Sequence, residues 1–140
     1  MKAAWDTSVL FYLFSDQDPA KREVIRRLWA ETHERFLPYQ VVQELLFVLM
    51  RKLGLGLEEL EELEELTRAL EAEAEIGAIE DIWPTFFDLL STGEFQFWDA
   101  FVVAESLLAG ARVLFSEDMQ DGRKIGSLTI RNPFALKRAT

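Results

Sequence analysis

Short apolar segments alternate along this chain with longer segments of helical periodicity, and this alternation restricts the fold more than any other feature. The predicted strands are residues 2–5, 35–37, 76–82, 112–115 and 127–130. The predicted helices are residues 19–34, 41–52, 58–75, 84–90 and 98–109. Strands that are separated by helices pair in parallel through right-handed crossovers. We therefore predict an α/β fold, a doubly wound sandwich built on a parallel sheet.

The length of the chain sets the size of this sandwich. A chain of 140 residues, 49% of them hydrophobic, is long enough for one domain with a sizeable core, and we expect residues 1–140 to form a single domain. Its apolar runs are shorter than the roughly 20 residues that span a bilayer, and its start lacks the basic region and cleavage site of a signal peptide. We expect a soluble, cytoplasmic protein with no membrane partner.

Four acidic residues stand inside apolar segments. Asp6 follows AAW, Glu44 lies within VVQELLFVL, Asp99 lies within FWDAFVV, and Asp118 follows LFSE. Burying an unpaired carboxylate is costly, so carboxylates are normally absent from such segments. Four of them together indicate that a cation lies among them, and a divalent metal ion is the simplest candidate.

The residue types that the chain lacks narrow the choice of metal. It has no cysteine, and His33 is its single histidine. A thiolate zinc site, a histidine cluster and a thiol nucleophile are therefore excluded. Only oxygen ligands remain, and carboxylates are hard ligands that suit Mg²⁺ or Mn²⁺.

The predicted strand positions suggest where these carboxylates meet. Asp6 follows the first strand and Asp118 follows the fourth. Ligands of open parallel sheets bind beyond the carboxyl ends of the strands, at the point where the strand order reverses. If the first and fourth strands are neighbours, both aspartates face one crevice, and Glu44 and Asp99 lean over the same edge from their helices.

Each of these residues also has a purely structural interpretation. Asp6 and Asp99 are each well placed to cap a helix, and Glu44 is compatible with an exposed position on an amphipathic helix. Asp121 differs from the four, because Asp121 and Gly122 are typical of a turn. We expect Asp121 to shape the chain rather than to bind metal.

Several segments together resemble the PIN-domain nucleases, and especially the toxin ribonucleases of the VapC type. The matching segments, in the order that the family shows, are DTSVLFYLF, QVVQELL, WDAFVVAES, LFSED with the following Gly122, and LTIRNPF. The resemblance implies a three-layer α/β/α sandwich with a mostly parallel five-stranded sheet. It also implies metal-dependent hydrolysis of RNA.

The resemblance carries over to individual positions. It implies that Asp6, Glu44, Asp99 and Asp118 are the catalytic residues and the ligands of Mg²⁺ or Mn²⁺, which makes Asp6 and Asp118 the expected primary ligands. The hydroxyl positions beside them are Thr7, Ser8 and Ser116. In hydrolysis, such ions lower the pKa of a bound water and neutralise charge on the phosphate oxygens.

Three classes of function are compatible with an acidic pocket in an α/β fold. The first is an endoribonuclease that acts as the toxin of a toxin–antitoxin pair, with a housekeeping RNA-processing nuclease of the same fold as its alternative. The second is an aspartyl phosphotransferase, which Ser8 disfavours because that enzyme places a second aspartate there. The third is a noncatalytic interaction domain with an acidic pocket, such as a phospho-receiver, whose phosphoacceptor aspartate and lysine are not evident.

The charge of the chain bears on its partners. The net charge is −10, and much of it lies in the glutamate-rich residues 58–75, whose leucines recur at helical spacing. We expect that segment to be an amphipathic helix with a solvated acidic face. The expected partners are an RNA substrate, a small antitoxin with a basic segment, and a second copy of the chain in a homodimer.

Overall fold

A six-stranded sheet forms the centre of the protein in the computed structural model, which describes residues 1–77 and 81–135. Its strands are β1 (Lys2–Trp5), β2 (Glu34–Leu37), β3 (Glu75–Ile76), β4 (Val113–Phe115), β5 (Lys124–Ile125) and β6 (Leu128–Arg131). They lie in the order β3-β2-β1-β4-β6-β5, and every pairing is parallel except that of β5 with β6.

Helices flank this sheet and connect its parallel strands. They are α1 (Thr7–Leu10), α2 (Pro19–Glu31), α3 (Tyr39–Lys52), α4 (Leu60–Glu73), α5 (Trp83–Ser91) and α6 (Phe97–Leu108). Short 3₁₀ turns, Phe11–Phe14 and Leu57–Glu59, follow α1 and precede α4. The predicted α/β sandwich with a mostly parallel sheet is confirmed. Among the residues described, no helix is both long enough and apolar enough to cross a bilayer.

The number of strands differs from the predicted five. β5 is an added edge strand that turns at Gly126 and pairs antiparallel with β6. Two residues are too few to show an alternating pattern in the sequence, so β5 was missed. The predicted third strand at residues 76–82 was also displaced: β3 ends at Ile76, and residues 78–80 lie outside the described part of the chain.

The predicted end of the helix at residues 19–34 was wrong by three residues. α2 ends at Glu31 rather than at residue 34, because Glu34 already pairs with Lys2 of β1. The backbone of Thr32 is extended, and its hydroxyl donates to the carbonyl of Leu28 over 2.6 Å, which closes the helix. Pairing with the central strand thus took precedence over the helical pattern.

The core lies against the central strands. Trp5 is fully buried, and its ring packs at a tilt against those of Phe115 and Trp29, whose centroids lie 4.7 and 5.2 Å away. In α4 the buried leucines are Leu63 and Leu70, whereas the glutamates face solvent, so the predicted amphipathic helix is confirmed. This packing holds the carboxyl ends of β1 and β4 in a fixed relation.

Candidate active site

The carboxyl ends of β1 and β4 meet at one edge of the sheet. The two strands pair in parallel, with Trp5 opposite Phe115, so the condition on which the meeting of Asp6 and Asp118 depended is met. The backbone N–H of Asp6 donates to the carbonyl of Phe115 over 2.9 Å and extends this pairing. β2 lies on the far side of β1 and β6 on the far side of β4, so the strand order reverses here. Such a point is where open parallel sheets bind ligands.

A pocket of about 360 Å³ opens at this edge. Four parts of the chain each bring one of the predicted carboxylates to its wall: the end of β1, the first half of α3, the first turn of α6 and the loop after β4. These carboxylates are Asp6, Glu44, Asp99 and Asp118, and Glu117, in the same loop as Asp118, also lines the pocket. The structure therefore brings together at one pocket the four acidic residues that the apolar contexts singled out.

Asp6 is the most buried of the four, with 8% of its surface exposed. Its Oδ2 accepts hydrogen bonds from the hydroxyls of Ser8, over 2.8 Å, and Ser116, over 2.9 Å. Burial raises the pKa of Asp6; the two hydroxyls oppose this rise, and the charge of Asp118 adds to it. Asp6 precedes α1, but its side chain makes no capping hydrogen bond, so capping does not explain it.

Asp99 stands in the first turn of α6 and is partly exposed. Burial raises its pKa, and the charges of the other three carboxylates of the pocket raise it further. The residue that caps α6 is Gln96, three positions earlier, so the capping interpretation of Asp99 was wrong. A carboxylate that holds its proton more strongly than usual is suited to accepting a proton from water.

Glu44 and Asp118 are more exposed. The Glu44 carboxylate accepts a hydrogen bond from the side-chain amide of Gln40 over 2.9 Å, one turn earlier on α3. Glu44 is therefore both an exposed residue of an amphipathic helix and part of the pocket wall. The backbone N–H of Asp118 donates to the Ser116 hydroxyl over 3.3 Å, which ties the loop of Asp118 to the residue that holds Asp6.

The three predicted hydroxyl residues lie beside the carboxylates. Ser116 is fully buried, and Ser8 lies within 3.5 Å of it and accepts the backbone N–H of Glu117 over 3.0 Å. Thr7 is buried, and its hydroxyl donates to the carbonyl of Val41, at the start of α3, over 3.4 Å. These bonds link α1, α3 and the loop after β4 around Asp6.

The chemistry of the donors fits a hard divalent cation. All four side chains offer carboxylate oxygens, and their mutual repulsion, visible in the raised pKa of Asp99, is what a bound cation would relieve. Within residues 1–77 and 81–135, no three His, Cys, Asp or Glu side chains converge closely enough to hold a metal ion as they stand. Glu44 is exposed and bonds to Gln40, and exposed side chains change rotamer on a fast timescale.

Asp121 lies away from the pocket, although it is close to Asp118 in sequence. It precedes Gly122, whose φ is +82°, and its carboxylate accepts the backbone N–H of Asn132 over 2.8 Å. The prediction of a turn residue is confirmed. Its hydrogen bond joins the turn before β5 to the end of β6.

Sequence reasoning missed four polar residues of the pocket wall: Tyr12, Gln17, Lys52 and Glu117. Glu117 accepts the Tyr12 hydroxyl over 2.8 Å and forms an ion pair with Lys21. Burial and the neighbouring Glu117 raise the pKa of Tyr12. The acidic pair in LFSED was a signal that would have found Glu117. Nothing local pointed to Lys52, which reaches the pocket only because α3 continues two turns beyond its glutamate.

The chain matches the model of a known protein family. Residues 4–121 match the family model of the PIN domain, a span that includes all four carboxylates. No protein with curated annotation matches the chain.

Several solved structures share the fold. VapC20 of Mycobacterium tuberculosis, described as a toxin that cleaves the sarcin–ricin loop, is 20% identical, with a TM-score of 0.64 over 83% of this chain and 91% of that one. A toxin–antitoxin complex from Klebsiella pneumoniae is 21% identical, with a TM-score of 0.66 over 94% and 97%. VapBC-1 from nontypeable Haemophilus influenzae is 13% identical, with a TM-score of 0.69 over 96% and 99%. At these identities the likeness establishes the fold alone.

Proposed function

Because this chain belongs to the PIN-domain family, we propose that residues 1–140 form one PIN-like nuclease domain, a metal-dependent endoribonuclease that serves as the toxin of a toxin–antitoxin pair. One observation carries the proposal: four carboxylates from four separate parts of the chain line one pocket at the carboxyl edge of the sheet. An oxygen-lined pocket of this kind suits the hydrolysis of a phosphodiester with Mg²⁺ or Mn²⁺.

The carboxylates differ in their proposed roles. Asp6 and Asp118 are the primary metal ligands, because they lie beyond the carboxyl ends of the two paired central strands, Asp6 directly after β1 and Asp118 in the loop after β4. Glu44 and Asp99 ligate directly or through water, and Asp99, with its raised pKa, accepts the proton of the attacking water. A bound ion supplies the remaining chemistry, since it lowers the pKa of water and neutralises charge on the phosphate oxygens.

The hydroxyl residues have a positioning role in this proposal. Ser8 and Ser116 both donate to the same oxygen of Asp6, its Oδ2, which fixes the orientation of the carboxylate. Hydrogen bonds of this kind orient metal ligands and raise metal affinity. Thr7 acts less directly, since its hydroxyl bonds to the backbone of α3 rather than to a carboxylate.

The experiment that tests the nuclease compares two neighbouring aspartates. Asp118→Asn removes a charge from the pocket wall, and we expect it to lower the rate of RNA cleavage in Mn²⁺ more than about 100-fold, because even outer partners of metal ligands are worth about 10–100-fold. Asp121→Asn is the matched control, since the amide oxygen still accepts the N–H of Asn132, and it should keep most activity. If Asp121→Asn were the more damaging change, the proposed site would be wrong.

The proposed antitoxin is a small protein with a basic segment. Folds similar to this one occur in toxin–antitoxin complexes. An arginine or lysine that enters the acidic pocket would satisfy carboxylates that otherwise hold metal, and the net charge of −10 would speed its approach.

Growth assays test this toxin–antitoxin proposal. Expression of the wild-type protein should arrest growth, co-expression of a basic protein encoded beside it should relieve the arrest, and Asp6→Asn should be harmless alone. Equal slowing by the wild type and Asp6→Asn would contradict the toxin role. RNA cleavage without any growth arrest would instead favour a housekeeping nuclease.

The proposed homodimer has a surface that suits it. Trp83 and Phe87 on α5, together with Phe97 and Trp98 on α6, form an aromatic patch, and each is about half exposed or more. Such patches on soluble proteins mark interaction sites. Sedimentation should show a dimer for the wild type and a monomer for Trp83→Glu/Phe87→Glu; a wild-type monomer at all concentrations would contradict the proposal.

A further inference from the structure

An acidic protein that cleaves RNA needs cations where the strand lies, because contacts to phosphates supply most of the affinity for nucleic acids. This chain carries a net charge of −10, and five of its carboxylates line the pocket. The cations that meet this need should therefore be local, close to the pocket, and not engaged with acidic side chains.

One face of α3 leads from the carboxylates to such cations. Glu44, Val48 and Lys52 follow one another at intervals of four residues and all line the pocket. Since an α-helix rises about 1.5 Å per residue, Lys52 lies about 12 Å along the helix axis from Glu44. The pocket thus extends from an acidic end at the sheet to a basic end at the last turn of α3.

A second depression continues from that basic end. It is lined by Phe47, Val48, Arg51 and Lys52, two of which, Val48 and Lys52, also line the acidic pocket. Phe47 is 58% exposed. The two depressions therefore form one continuous surface, which changes along α3 from carboxylates to a combination of two cations and an aromatic ring.

Both cations are placed over rings. The Arg51 guanidinium lies 5.6 Å from the centroid of Phe47, and the Lys52 ammonium lies 5.0 Å from that of Phe11. In the described part of the chain neither forms an ion pair, whereas Lys21, Arg26 and Arg27 all pair with glutamates. Arg51 and Lys52 are thus oriented and available to a ligand.

We propose that Phe47, Arg51 and Lys52, here called the α3 strip, bind the single-stranded RNA beside the scissile phosphate. This inference rests on the proposed nuclease function. Arg51 and Lys52 contact phosphates, and Phe47 offers a face on which a base stacks, the combination by which proteins bind single strands without strict sequence preference. The strip thus supplies affinity that the acidic pocket itself lacks.

Helix electrostatics alone does not account for the strip. Cations in the last turn of a helix interact favourably with its dipole, and this explains why Arg51 and Lys52 suit the end of α3. It does not explain an exposed phenylalanine beside them or their position on a surface continuous with the carboxylates. Charge complementarity favours a polyanion over an apolar partner there.

Steady-state cleavage of a single-stranded RNA oligonucleotide in Mn²⁺ tests the proposal. Arg51→Gln/Lys52→Gln should raise KM about tenfold with kcat nearly unchanged, and should reduce the slope of log KM against log salt by about 1.4, the value for two phosphate contacts on a single strand. Phe47→Ala should raise KM without changing that slope, because it removes stacking and no charge.

The matched control is Arg26→Gln/Arg27→Gln on the exposed face of α2, which changes the net charge by the same amount. It should leave KM and the salt slope unchanged. Equal effects of the two double variants would overturn the strip, since the loss would then reflect overall charge. An unchanged KM in Arg51→Gln/Lys52→Gln would also overturn it and leave an acidic protein segment as the occupant. A wild-type protein that cleaves no RNA would refute the nuclease function itself.

Discussion

At the scale of single residues, the pocket depends on a buried carboxylate that is held in place rather than neutralised. Asp6 accepts two hydroxyl hydrogen bonds and has no cationic partner in the described structure. Breaking either hydroxyl bond would leave its charge poorly satisfied, and burial already raises its pKa. In the metal-free protein the carboxylates of this pocket therefore repel one another, and this repulsion has a measurable consequence for the stability of the protein.

The effect of this repulsion on stability can be measured at Asp99. Its pKa is raised above the ordinary value of 3.8, so the folded protein binds more protons than the unfolded chain over this range. The stability of the metal-free protein should consequently decrease as the pH rises from about 3.8 through the raised pKa. Asp99→Asn removes this loss, and at pH 7 in EDTA we expect it to raise the melting temperature by roughly 2 °C, about 0.5 kcal/mol, a small value because Asp99 is partly solvated.

The control for this prediction is Asp88→Asn, which changes an exposed aspartate of α5. The gain from Asp99→Asn should shrink as the pH falls towards 4, since wild-type Asp99, whose pKa is raised, is then increasingly protonated. A gain that is independent of pH, or a lower melting temperature for Asp99→Asn at pH 7, would contradict the predicted repulsion.

At the scale of elements, the sequence allowed the central part of the fold to be predicted but not its edges. β1 was predicted with its observed ends, because its last three residues are apolar and buried, as expected for a strand buried on both faces. β5 and β3 have two residues each, too few for a periodic pattern, so their placement depends on the partner strand. Edge strands of this length are determined by tertiary pairing rather than by local propensity.

The same contrast applies to the pocket. Asp6 and Asp118 could be expected to meet only if the first and fourth strands are neighbours, because Asp6 directly follows the first strand and Asp118 lies in the loop after the fourth. The observed pairing of β1 with β4 meets that condition. Glu44 and Asp99 were singled out by their apolar contexts and by the resemblance, but their place at the pocket depends on the angle at which α3 and α6 cross the sheet, which their sequence does not specify. Lys52 was missed for that reason: its place at the pocket depends on the direction and length of α3.

At the scale of the whole molecule, charge is separated by region. The glutamates of α4 face solvent, the four carboxylates gather at one edge of the sheet, and the cations of the α3 strip lie beside that edge. The net charge alone would argue against binding RNA. Its distribution removes the conflict, because cations are concentrated where the proposed substrate would lie.

The central claim is that the four carboxylates hold a divalent ion in the folded protein, and thermal melting of the whole chain in Mn²⁺ tests it most directly. An ion that binds only the folded state stabilises it by about 2.7 kcal/mol at one hundred times its dissociation constant. At neutral pH the melting temperature of the wild type should rise steadily with Mn²⁺ over that in EDTA, and that of Asp6→Asn should not. A wild-type melting temperature indifferent to millimolar Mn²⁺ would contradict the metal site.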